Sequence, residues 1–214
     1  MSIDVAIVDY GTGNLLSVRR AFEHCGAAVT VSEDPKTLLS APRLVLPGVG
    51  AFANGMRGLI DRGLNKVVLE FADSGKPLLG ICLGMQMLAT VSEEFGEHEG
   101  LGIIPGRVTA IPNTGKDGIP HKIPYVGWAG LEQPEREVDW CGTILADIEP
   151  GDSAYLVHSY EVVPENDSHR LADYLYNGRR VSAAVRKGNV YGCQFHPEKS
   201  ASVGMRILDR FLLV

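Results

Sequence analysis

The stretch Lys76-Pro77-Leu78-Leu79-Gly80-Ile81-Cys82-Leu83-Gly84-Met85-Gln86-Met87-Leu88-Ala89 constrains this chain more than any other. A short apolar run entered through Pro77 reads as a buried strand that stops at Cys82, and Leu83 to Ala89 then carries apolar residues at helical spacing. Gly80 and Gly84 flank the cysteine at i−2 and i+2, the layout of a nucleophile elbow with cysteine in place of serine. Such a turn lifts one side chain clear of the sheet, and small flanking residues let the backbone crowd around it. The thiol then stands at a helix N-terminus, where the peptide dipoles favour the anion. A lone cysteine in a β–turn–α unit is more often a buried structural one. Both glycines and the strand-to-helix switch tip the balance toward a nucleophile.

The segments before the elbow alternate strand and helix. Ile3 to Val8 is a near-continuous apolar run, as expected of a parallel strand covered on both faces. A turn and a helix over Leu15 to Cys25, ended by Gly26, follow it. The turn is not a dinucleotide fingerprint, because Leu16 occupies the third glycine position. Ala28 to Val31 and Arg43 to Leu46 read as further strands, the second opening into the glycine-rich loop Pro47-Gly48-Val49-Gly50, with a helical segment after it and another over Leu64 to Ala72. This alternation predicts an α/β fold, a doubly wound, mostly parallel sheet with flanking helices. Val91 to Gly151 is less regular, with strand-like pieces at Arg107 to Ile111 and Ile123 to Trp128. Ser153 to Val157 is another strand, and Arg180 to Val185 with Val190 to Phe195 reads as an antiparallel extension bounded by turn dipeptides. An amphipathic helix over Val203 to Leu213 closes the chain. With no repeat, low-complexity tract or linker, residues 1–214 are expected to form a single domain.

Composition narrows the function by exclusion. The net charge is −6 with no cluster of Lys and Arg, which argues against nucleic acid. No apolar run approaches the roughly 20 residues of a membrane span, and the N-terminus is too short and acidic for a signal peptide. The four cysteines are widely spaced without a C-x-x-C pair, as expected of reduced thiols in a cytoplasmic protein. Cys193 and His196 are too few ligands for a metal site, so neither metal nor cofactor is expected.

A cysteine nucleophile needs a base, and the base an orienting partner. Of six histidines, His158 and His196 stand at the C-terminal ends of apolar strands, where open α/β sheets build their sites. In Gln194-Phe195-His196-Pro197-Glu198, Pro197 is taken to exclude helix. Extended geometry would point His196 and Glu198 the same way, the carboxylate holding the imidazole. His24, His98, His121 and His169 lie in polar or helical contexts that suggest surface positions.

Gly80-Ile81-Cys82-Leu83-Gly84-Met85-Gln86 together with Gln194-Phe195-His196-Pro197-Glu198 resembles the class I (triad) glutamine amidotransferases. Val8 to Leu15, Leu46 to Phe52 and Val157-His158-Ser159-Tyr160 narrow the resemblance to the glutaminase subunits of imidazole glycerol phosphate synthases, in histidine biosynthesis. The likeness runs from the first strand to the last helix. It implies Cys82, His196 and Glu198 as catalytic residues, and an oxyanion hole from the backbone N–H of Leu83 and one from the Val49-Gly50 loop. It further implies Gln86, Glu94, Ser159 and Tyr160 as the grip on L-glutamine. The implied partner is a cyclase subunit with a (β/α)8 barrel in a heterodimer, met by Asn14, Tyr125 and Trp128.

One stretch departs from the family pattern Pro-His-x-Gly-Trp-Asn. Here Tyr125 replaces the histidine and Ala129 the asparagine. That departure leaves open an alternative in which the same chemistry supplies ammonia to a sugar amidotransferase of surface-polysaccharide synthesis. A cysteine peptidase or esterase on a similar scaffold, and a non-catalytic module that keeps the fold, are the readings from other classes.

Overall fold

The computed structural model describes residues 3–136 and 138–214. Met1 and Ser2, on which the reading of the N-terminus partly rests, lie outside the described residues. The first part of the chain runs β1 (Val5–Val8), α1 (Leu15–His24), β2 (Val29–Ser32), α2 (Pro35–Ser40), β3 (Leu44–Gly48), α3 (Phe52–Asp61), α4 (Leu64–Asp73), β4 (Leu78–Cys82) and α5 (Leu83–Met87). Six strands follow: β5 (Val91–Ser92), β6 (His98–Glu99), β7 (Gly106–Ala110), β8 (Tyr125–Gly130), β9 (Ser153–His158) and β10 (Tyr160–Pro164). The chain ends with β11 (Arg170–Tyr176), β12 (Arg179–Lys187), β13 (Val190–Cys193) and α6 (Ala201–Phe211).

The main sheet has the order β11-β12-β13-β4-β3-β1-β2. Neighbours from β2 to β13 run parallel, and β12 and β11 add on antiparallel. The predicted α/β sheet with its antiparallel extension is therefore observed. Its inner strands β1, β3 and β4 are buried on both faces, and alternate residues feed two cores. Val5, Ile7, Val45, Leu79 and Ile81 pack with Phe22 of α1 and Phe211 of α6. Ala6, Val8, Leu44, Leu46 and Leu78 face the other way, toward Leu59 of α3 and Val68 and Phe71 of α4. Each such apolar side chain removed from water contributes about 1.5–3 kcal/mol, so the strand ends that carry the site are held rigidly.

Some local expectations need correction. The helix after the elbow is one short turn-and-a-half, Leu83–Met87, rather than running to Ala89. Pro35–Ser40 is a helix that periodicity did not show; Asp34 caps it, accepting from the Thr37 N–H at 2.9 Å. Tyr160–Pro164 and Arg170–Tyr176 are strands where none was predicted. Pro197–Lys199 forms a 3₁₀ turn with Pro197 at its first position, so Pro197 starts a turn here instead of enforcing extension.

At the elbow, α5 lies directly on the backbone of β3. A Cβ on Gly84 would collide with the Leu46 carbonyl oxygen, and one on Gly80 would come within 2.7 Å of the Gly84 carbonyl oxygen. Neither glycine has room for a side chain, and neither obstacle is a movable one. Gly84→Ala should therefore lose at least ~3 kcal/mol of stability, at the upper end of overpacking costs, measured by urea unfolding against Gly26→Ser. The surroundings of Gly26 are open, but its φ of +83° makes that control mildly strained.

Candidate active site

Cys82 ends β4 and precedes α5 with φ 55° and ψ −112°. A non-glycine residue at positive φ is uncommon and costs of order 1–3 kcal/mol, a strain held only by surrounding packing. It places the thiol at the carboxyl end of the parallel sheet, 8% exposed. The strand register brings His196 to it: β13 pairs with β4, Cys193 opposite Ile81, so the chain beyond β13 passes Cys82.

His196 and Glu198 come together as expected, although through a turn. Nδ1 of His196 lies 2.8 Å from Glu198 Oε1, and both side chains are almost fully buried. The other Glu198 oxygen meets no hydrogen-bond partner among the described residues, so the carboxylate acts chiefly on the imidazole. Burial works against charging His196, but its hydrogen bonds to Cys82 and Glu198 and their negative charge outweigh that, and its pKa is raised to about 9.

His158 is the opposite case. Burial, the largest cause, lowers its pKa to about 4, with the His196 charge adding to the effect. Nδ1 is 2.8 Å from the Tyr160 carbonyl, which can only accept, so Nδ1 carries the proton. Nε2 then accepts from the Tyr174 hydroxyl at 3.0 Å. A neutral imidazole fixed at both nitrogens serves as wall, not as base.

A cleft of about 340 Å³ opens over Cys82. Val49, Gly50, Leu83, Gln86, Glu94, Ser159, Tyr160 and His196 line it with His158, Pro124 and Val157. The residues expected to form the oxyanion hole and the glutamine grip thus surround one space. Gly50 has φ +98°, a conformation open to glycine. Glu94 Oε2 accepts from the Phe52 N–H at 2.6 Å, which ties the cleft wall to the start of α3. Gln86 Nε2 donates to the Tyr160 carbonyl at 3.2 Å and to Gln194 Oε1 at 3.0 Å.

Sequence reasoning gave no role to Gln194, fully buried beside Cys82, nor to Tyr174. A signal for Gln194 was present: it precedes His196 by two residues at the end of a strand, where i and i+2 share a face. Among the described residues no group of three or more His, Cys, Asp or Glu side chains converges as a metal site requires.

Of the positions expected at a partner surface, Tyr125 and Trp128 lie on β8, directly after the cleft residue Pro124. Trp128 is 53% exposed and Val126 56%, on one face of the β8–β9 ribbon. They pair with Tyr155 and Val157, which makes an apolar strip that reaches the cleft mouth through Val157. Tyr125 is turned inward. Its ring packs on Tyr174 and Tyr176, and its hydroxyl donates to the Trp128 carbonyl at 3.0 Å. Asn14 precedes α1 and makes no side-chain cap.

Residues 6–214 match the family glutamine amidotransferase class-I. The chain belongs to this family. Imidazole glycerol phosphate synthase subunit HisH 1 of Legionella pneumophila (strain Lens) is 52% identical over 98% of this chain and 99% of its own. The HisH subunit of Syntrophotalea carbinolica is 46% identical over 97% and 98%. These relatives make the chain a glutamine amidotransferase subunit of the imidazole glycerol phosphate synthase kind. A crystal structure of a glutamine amidotransferase covers 98% of this chain and 97% of its own with a TM-score of 0.72 at 18% identity. PurLQS from Thermotoga maritima aligns with a TM-score of 0.70 over 100% and 98% at 19% identity. At those identities the likeness concerns the fold.

The two buried histidines set opposite pH limits on stability. His158 binds its proton less well folded than unfolded, so its contribution is present above pH 6.5 and falls away toward pH 4, by about 3 kcal/mol in all. His196 binds its proton better when folded; that contribution is full below pH 6.5 and is lost as pH rises through 9. Urea unfolding from pH 4 to 10 should show His158→Gln flattening the acid limb and His196→Gln the alkaline limb.

Proposed function

We propose that the whole chain acts in the cytoplasm as one glutaminase unit, releasing ammonia from L-glutamine for a cyclase subunit with a (β/α)8 barrel. The observation that carries the reading is the meeting of Cys82, His196 and Glu198 at one end of the sheet, under a cleft of amino-acid size. In this reading the Cys82 thiolate attacks the side-chain amide carbon of glutamine. His196, raised to about 9 and therefore protonated at neutral pH, gives its proton to the departing ammonia. The neutral imidazole then takes a proton from water as it attacks the γ-glutamyl thioester, with Glu198 keeping the ring in register.

The oxyanion is assigned to backbone donors. Leu83 is the first residue of α5, and its N–H has no partner within the helix. A second donor comes from the Val49-Gly50 peptide, because glycine at position 50 accepts either orientation of that peptide. A donor of this kind is worth about 10²–10³ in rate. Partner binding that turns this peptide would switch the glutaminase on. Gln86 spends both amide hydrogens inside the protein, so toward substrate it acts as an acceptor for the glutamine ammonium, with Glu94 beside it. Ser159 and Tyr160 complete the grip.

The Trp128–Val126 strip, together with Asn14, supplies the surface for the cyclase, with Tyr125 bracing it from inside through its hydrogen bond to the Trp128 carbonyl, and the strip's position at the cleft mouth gives ammonia a short route out. The cyclase uses it to make imidazole glycerol phosphate and an aminoimidazole carboxamide ribotide. Glutamate release is expected to be low for the chain alone and strongly stimulated by the cyclase with its ribotide substrate. Cys82→Ser should abolish it, and absence of stimulation would remove the cyclase assignment while leaving the glutaminase chemistry. Trp128→Ala should weaken the complex by at least about 2 kcal/mol, as for a buried aromatic anchor, read by titration calorimetry with Cys82 labelling unchanged.

A further inference from the structure

A continuous hydrogen-bond relay joins the wall of the cleft to the nucleophile, and it ends on sulfur. Tyr174 O–H donates to His158 Nε2 at 3.0 Å, and His158 Nδ1–H to the Tyr160 carbonyl at 2.8 Å. The same carbonyl accepts from Gln86 Nε2 at 3.2 Å, and Gln86 Nε2 also donates to Gln194 Oε1 at 3.0 Å. Gln194 Nε2 lies 3.8 Å from Cys82 Sγ.

The direction of this relay is not a matter of choice. A backbone carbonyl cannot donate, so Gln86 must turn its NH₂ toward Tyr160, and the second hydrogen of that NH₂ reaches Gln194. Gln194 must then offer its oxygen to Gln86 and its NH₂ to Cys82. Turning the Gln194 amide over would set two NH₂ groups against each other and aim oxygen lone pairs at the sulfur. Gln194 is fully buried, so no solvent compensates such a mismatch. One anchored carbonyl therefore dictates which atom faces the nucleophile two side chains away.

We propose that Gln194 is a catalytic hydrogen-bond donor to Cys82 Sγ, with Gln86 and the His158-held Tyr160 carbonyl as the groups that keep it in the donating orientation. It serves two moments of the reaction. At rest it favours the thiolate over the thiol. In thioester hydrolysis, water adds to the γ-glutamyl carbon and His196 accepts its proton. The C–Sγ bond then breaks with its electron pair left on sulfur, where the Gln194 N–H meets it, and glutamate departs. The inference rests on Cys82 being the glutaminase nucleophile.

Iodoacetamide labelling of Cys82 in the full chain, followed on the Cys82 peptide by mass spectrometry because exposed Cys141 also reacts, tests it without glutamine or cyclase. Gln194→Met should move the labelling-against-pH profile upward by about one unit and lower glutamate release in the cyclase complex about tenfold or more, as for a hydrogen bond to a charged group. Gln86→Met, one link earlier, should move the labelling profile the same way by less. A Gln194→Met protein with wild-type melting temperature and an unmoved profile overturns the proposal. If that variant does not fold, an unmoved profile in Gln86→Met overturns it and a raised one supports it. Glutamate release that survives Cys82→Ser would instead remove the nucleophile assignment, an outcome the labelling profile does not depend on.

Discussion

Everything at the site depends on α5 resting directly on the backbone of β3. The contact of Gly84 with the Leu46 carbonyl leaves no space for a side chain, and Gly80 lies under the same turn. Because the helix starts this close to the sheet, the chain must reverse within one residue. Cys82 absorbs that reversal at positive φ. The thiol then stands at the carboxyl end of the sheet, and Leu83 lines the same cleft. The placement of Cys82 and that of Leu83 are two consequences of one packing constraint.

Around this turn the protein places two buried histidines with opposed tendencies. His196 is held toward its charged form by the groups at its ring, against the effect of burial. His158, with a carbonyl at one nitrogen and a hydroxyl at the other, stays neutral. The difference lies in partners, since both rings are hidden from water. A carboxylate beside the imidazole favours its protonated form, whereas a carbonyl and a phenol fix a neutral ring as a wall. The same wall ends at Tyr160, whose carbonyl orders the two glutamine side chains next to Cys82. The polar interior is thus connected from the cleft wall to the sulfur, and satisfying its buried donors and acceptors is what makes it specific.

Much of the fold was legible in local pattern. Apolar runs for β1, β3 and β4 and the helical segments between them follow from burial on both faces of a parallel sheet. The turn dipeptides Asn177-Gly178 and Gly188-Asn189 marked the antiparallel hairpins. Where reading was weaker, the local signal was mixed. The α2 helix is too short for periodicity to show and is announced only by Asp34-Pro35. Strand β10 begins at Tyr160, with only Ser159 between it and the end of β9 at His158, so the polar His158-Ser159 step hides the start of a second strand. Pro197 was read as an extension signal, yet it opens a 3₁₀ turn; the His196–Glu198 contact survives because a two-residue separation closes in either geometry.

By itself the sequence determined the elbow, since glycines two residues either side of Cys82 are required wherever helix and strand backbones touch. It also determined the pairing of His196 with Glu198, a local matter of two residues. Tertiary structure alone decided the rest. The parallel register of β13 against β4 brings residues more than a hundred positions apart to the same sulfur. The β8–β9 pairing sets Trp128 outward and Tyr125 inward. The orientation of Gln194 was decided farther away still, by the carbonyl of Tyr160, because hydrogen-bond direction passes along a buried chain from the one group that cannot be turned over.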